Sequence, residues 1–151
     1  MAGVLSLARA RHWGARHSSR QPLLWILHAG QAWLVIGFVL RGAALLGAPS
    51  LASPATHALT VGAIGSLTLG MMARVALGHT GRMLAAPKSI ATAFLALNLA
   101  AFVRVFVPLL APAWYFAGLV ATAALWVTAF ATFIVVYTPI LAAPRVDGKP
   151  G

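Results

Sequence analysis

Between His57 and Leu77 the chain carries a single charged residue, Arg74, in a run of small and apolar side chains. A helix rises about 1.5 Å per residue, so roughly 20 such residues cross the hydrocarbon core of a bilayer. The full run, HALTVGAIGSLTLGMMARVALGHTGR, has a histidine near each end, His57 and His79. On one continuous helix these two lie about 33 Å apart, which puts them near opposite membrane faces. One stripe of the run is small at every fourth position: Ala58, Gly62, Ser66 and Gly70. A small-xxx-small stripe lets a second helix approach closely. By itself it calls for a helix interface and nothing more.

Three more runs of the same kind follow from the sequence. The expected spans are about residues 22–46, 57–77, 89–110 and 113–141. A basic arm, residues 1–21, precedes them and a polar tail, residues 142–151, follows. Pro22 suits a first helical turn, where its missing N–H is not needed. Ser53 or Thr56 is expected to cap the second span and Ser89 the third. Pro108 and Pro112 are expected to bracket a short turn. The expected architecture is an all-α integral membrane bundle of four transmembrane helices.

Composition supports this. The chain is 61% hydrophobic, only 8% charged, and has a mean hydropathy of +0.90. A soluble domain of 151 residues needs far more polar surface. The net charge of +10 raises the question of nucleic acid. The cations sit in short segments between apolar runs, where they set topology and meet anionic headgroups, so no nucleic-acid partner is expected. Nine of the 11 Lys/Arg residues fall on one side: Arg9, Arg11, Arg16, Arg20, Arg74, Arg82, Lys88, Arg145 and Lys149. By the positive-inside rule both termini are cytoplasmic. An arginine- and serine-rich arm without acids also fits a mitochondrial transit segment.

The residue inventory narrows the chemistry. There is no cysteine and one acid, Asp147. Thiolate metal sites, disulfides, paired-carboxylate catalysis and calcium-type sites are excluded within the chain. Ionisable groups at lipid depth are costly, about 2.5–3.5 kcal/mol for Arg at mid-helix, and they mark sites. Two layers result. His28, Arg74, His79 and Arg82 fall toward the cytoplasmic side, and Arg41, His57 and Arg104 toward the other. Imidazoles are the usable metal ligands, suited to haem iron or copper. Arginines match haem propionates. The competing reading has arginines snorkelling to the interface and histidines bridging helices. Trp33 is too deep for an interfacial belt and is expected to pack against a neighbour or a flat ligand. Asn98 and Arg104 both need partners.

The segments QPLLWILHAGQAW, HALTVGAIGSLTLGMMARVALGHTGR, LNLAAFVRV and PRVDGKPG together resemble the NnrS family of bacterial membrane proteins. The resemblance runs from about Arg9 onward and corresponds to the C-terminal portion of a longer polytopic architecture. It implies partner helices, from an upstream segment or from a homo-oligomer. It also implies a multi-pass protein of the cell inner membrane that binds haem and copper. The implied role is in the nitric oxide response, denitrification or resistance to nitrosative stress. The matching candidate ligands are His28, His57 and His79, with His57 and His79 inside the signature. Arg74, Arg82 and Arg104 are the implied propionate or lipid partners. The alternative is a structural or transport subunit of a larger membrane assembly, without metal. No nucleophile paired with a base points to a reaction.

Overall fold

The computed structural model describes residues 21–148. Its first helix, α1, is Pro22–Leu45. The second, α2, runs Pro49–His79 without a break, and α3 is Lys88–Leu110. A single 3₁₀ turn, Pro112–Trp114, leads into α4, Tyr115–Ala142. All four are long and apolar enough to cross a membrane, and there is no strand among the described residues. Gln21, the loop residues Leu84, Ala85 and Ala86, and the tail meet at one end of the bundle, because Val146 N–H donates to the Thr80 carbonyl at 3.2 Å. Both ends of the described chain therefore lie on the same side.

The second span starts earlier than the sequence predicts. Residues 49–56 are helical, not a loop. Pro49 opens a 3₁₀ turn and Pro54 falls in the first turn of the α-helix that follows, where its missing N–H breaks no ladder bond. Ser53 and Thr56 do not cap this helix; the Thr56 hydroxyl donates to the Ala52 carbonyl inside it. Ser89 is likewise no cap, since Pro87 stands at the entry to α3 and Ser89 lies in the first turn. Pro108 lies within the last turn of α3 and only Pro112 starts the following turn.

Within this continuous helix a seven-residue stretch, Ala58–Ile64, near the start of the His57–Arg82 run, is wound as a π-helix. Such stretches are rare, since their i→i+5 geometry is less favourable than an α-helix. Here neighbouring helices hold it. A side-chain carbon added at Gly62 would lie 2.5 Å from Trp33 Cγ, so the Trp33 ring fills the space over that glycine. At Gly70 the same position meets Ile26 at 2.7 Å. In return, Gly30 and Gly37 on α1 receive Leu67 and Leu59 of α2. All four stripe residues, Ala58, Gly62, Ser66 and Gly70, are buried. The stripe is thus an interface, and lipid-depth packing of this kind replaces the hydrophobic drive that lipid tails cannot supply.

Helix α2 is the centre of the bundle. Half of its most apolar window is buried, against 17% for α4, which presents most of its surface outward. One core cluster joins Leu23, Ile26, Leu69, Phe94, Leu97 and Tyr137 from all four helices. A second joins Trp33, Ala58, Ala63, Ala101 and Val105 around the π stretch.

Candidate functional site

The candidate residues fall into two groups, one at each end of α2. At the far end, His57 directly precedes the π stretch and is half-buried. Its Nδ1 lies 2.8 Å from the Ser53 carbonyl oxygen. A carbonyl oxygen only accepts, so Nδ1 carries the proton, and in the neutral ring Nε2 is the nitrogen with the lone pair. Holding one ring nitrogen on a backbone carbonyl is how ligating histidines are fixed in tautomer and orientation. The Ser53 hydroxyl stands 3.4 Å from the same nitrogen.

Arg104, on the segment of α3 nearest that end, places its guanidinium 5.7 Å from the centre of the Tyr115 ring. That is cation–π range, and it gives a charge at lipid depth a partner. Arg41, in the last turns of α1, is exposed at the same end. Between the two ends, Trp33 Nε1 donates to Asn98 Oδ1 at 2.9 Å, and Asn98 Nδ2 donates to the Phe94 carbonyl at 2.9 Å. Trp33 therefore packs against a neighbouring helix, and Asn98 gains its partners there. This pair ties α1 to α3 across the π stretch.

At the other end, α2 stops in a Schellman turn. Arg82 N–H donates to the Leu77 carbonyl at 2.9 Å and Gly81 N–H to the Gly78 carbonyl at 3.2 Å. Gly81 sits at φ +71°, the left-handed conformation that this turn requires. The tail closes over it. Arg145 Nη1 donates to the His79 carbonyl at 2.9 Å, while its Nε and Nη2 reach Asp147 Oδ1 and Oδ2 at 2.9 and 2.6 Å. A cation on the last carbonyls of a helix also suits the helix dipole. The hydrogen bonds to Asp147 hold the Arg145 guanidinium above its usual pKa. Arg82 Nη1 reaches the Ile140 carbonyl of α4 at 3.4 Å.

Arg74 and His79 line one open groove of about 310 Å³ with Met71, Val75, Gly78 and Leu84. His28 is half-buried on α1. His57 and His79 lie at opposite ends of one helix, too far apart to share one ligand. Among the described residues no three His, Cys, Asp or Glu side chains come together in a way that could hold a metal. His12 and His17, the arm arginines and Lys149 lie outside the described residues.

Three features of the site have no signature that spacing reveals: the π geometry, the Ser53 partner of His57 and the tail clamp on His79. The clamp had one hint, because the only acid of the chain sits two residues after an arginine in the tail.

The family model described as NnrS protein matches residues 1–145. No curated protein and no solved structure matches the chain.

Proposed function

The chain belongs to the NnrS family, and from that premise we propose that it is a haem- or copper-binding protein of the bacterial inner membrane. Its role is in the nitric oxide response, including denitrification or resistance to nitrosative stress. The observation that carries this reading is the His57 Nδ1 contact with the Ser53 carbonyl at 2.8 Å. It leaves Nε2 as the ring nitrogen that faces a ligand, which suits haem iron or copper. A haem iron or copper ion held there would supply a centre that takes nitric oxide as a ligand. His57 holds the group and the Ser53 carbonyl orients His57. Arg104, on the same end, would pair with a propionate. His28 and His79 are the further candidate ligands. Arg74 and Arg82 serve an anionic group at the His79 end. The bilayer covers the outward face of α4, and further transmembrane helices or a second copy complete the assembly. The cations of the His79 end make that side cytoplasmic.

One observation favours the second reading, a structural or transport subunit without metal: the described histidines do not converge on one centre. Haem and metal analysis of the protein purified from haem- and copper-replete membranes separates the two. The first reading expects a Soret band or bound copper that falls in His57→Ala. Full metal content in that variant, or none in the parent, supports the second.

A further inference from the structure

The groove at the His79 end is a different kind of site. Its walls are Met71, Val75 and Leu84, each about half exposed, and its polar groups are the Arg74 side chain and His79. Gly78 leaves the floor between Arg74 and His79 open, with nothing within 4 Å of where its side chain would begin. Arg74 is half-buried and has no hydrogen bond, ion pair or ring contact among the described residues. Its neighbours at this end are also cationic. Arg82 is turned to the Ile140 carbonyl, Lys88 starts α3, and the one acid, Asp147, is taken by Arg145. Among the described residues the groove therefore has a cation without a counterion, in a positive field, with apolar walls on either side.

We propose that this groove binds one anionic phospholipid of the adjoining leaflet, with the phosphate on Arg74 and His79 and the start of an acyl chain along Met71, Val75 and Leu84. Depth selects this occupant. Arg74 lies five residues before the last residue of α2, about 7.5 Å inward from that end along the helix. A free anion gives up its water to reach that depth, whereas a headgroup phosphate already resides at the boundary and brings the apolar tail that the walls match. Arginine meets phosphate through two parallel N–H donors, which a compact ammonium cannot do. The proposal is independent of the imidazole site at His57.

The test uses the chain released from nanodiscs of equal phosphatidylglycerol and phosphatidylcholine, with retained lipid counted by native mass spectrometry. The expected result is one retained phosphatidylglycerol, no matching phosphatidylcholine, and a loss of about fivefold or more in Arg74→Gln. Arg74→Lys keeps the charge and loses less. Gly78→Leu fills the groove with all charges intact, in a position open enough to fold, and loses the lipid as Arg74→Gln does. Lys88→Gln leaves it in place. Equal retention of both lipids, unchanged retention in Arg74→Gln and Gly78→Leu, or an equal loss in Lys88→Gln overturns the proposal. Displacement by millimolar inorganic phosphate with no lipid retained assigns the site to a free anion and overturns it too. The haem or copper signal that falls in His57→Ala is expected to persist in Gly78→Leu, at the other end of α2, so failure here and failure of the His57 reading are separable.

Discussion

Trp33 of α1 occupies the space where a side chain on Gly62 of α2 would begin, 2.5 Å from Trp33 Cγ to that position. The contact falls within the π stretch, five residues after His57. It joins the packing of the helix to the placement of the candidate ligand, because a change in the winding of residues 58–64 would turn His57 about the helix axis.

Gly62→Ala is accordingly expected to cost about 1–3 kcal/mol through overpacking against the indole. Gly78→Ala, where nothing lies within 4 Å, is expected to be neutral or to stabilise by up to about 1 kcal/mol. Denaturant unfolding in detergent micelles measures both. Equal effects at the two glycines contradict the packing described.

The Trp33–Asn98 hydrogen bond is open to a double-mutant cycle with Trp33→Phe and Asn98→Ala. Interhelical bonds of this type in membranes average about 0.6 kcal/mol and reach about 1.7. A coupling energy in that range is expected. Zero coupling means that the two side chains act separately.

Tyr137 is fully buried and its hydroxyl has no hydrogen-bond partner among the described residues; the ring stacks on Phe133 with centroids 4.6 Å apart. Removing an unsatisfied hydroxyl while keeping the ring is close to neutral or stabilising. Tyr137→Phe is therefore expected to melt at or above the parent temperature. A clear loss of stability would reveal a partner for that hydroxyl.

Much of this fold is legible in the sequence, for physical reasons. Apolar runs of the right length must form helices in lipid, since unpaired backbone groups are too costly there. The every-fourth small residues of α2 have one efficient use, and the structure puts them to it. Ends are less legible. Pro49 and Pro54 read as loop residues, yet both stand where a helix start tolerates a missing N–H. The π stretch is invisible because ALTVGAI carries no residue that demands it; the Trp33 ring and the reciprocal glycines select it from outside. At the site, residue type and position within the apolar runs single out the histidines. Their separation at two ends followed from helix rise, whereas the Ser53 contact and the tail clamp depend on rotamers and on a contact 66 residues distant.

The tail clamp gives a pH expectation. Asp147 raises the Arg145 pKa, so the stability this contributes is complete below the unfolded value and is lost only as pH rises through the higher folded one. The Val146 amide, bonded to the Thr80 carbonyl, is therefore expected to keep its hydrogen-exchange protection factor from neutral pH into mild alkali. Asp147→Asn is expected to lower that protection at every pH in the range. Protection that titrates away near pH 8 to 9 in the parent contradicts this assignment.

The central claim, that His57 offers Nε2 to a haem or copper centre, is met most directly by a cavity-rescue measurement. His57→Gly is purified and loaded with haem, and its absorption and electron paramagnetic resonance spectra are recorded with and without added imidazole; copper loading is run in parallel. The account predicts that the variant loses the parent spectrum and that imidazole restores it, while the same substitution at His28 leaves the His57 signature in place. A His57→Gly protein whose haem and copper spectra match the parent without imidazole would contradict it.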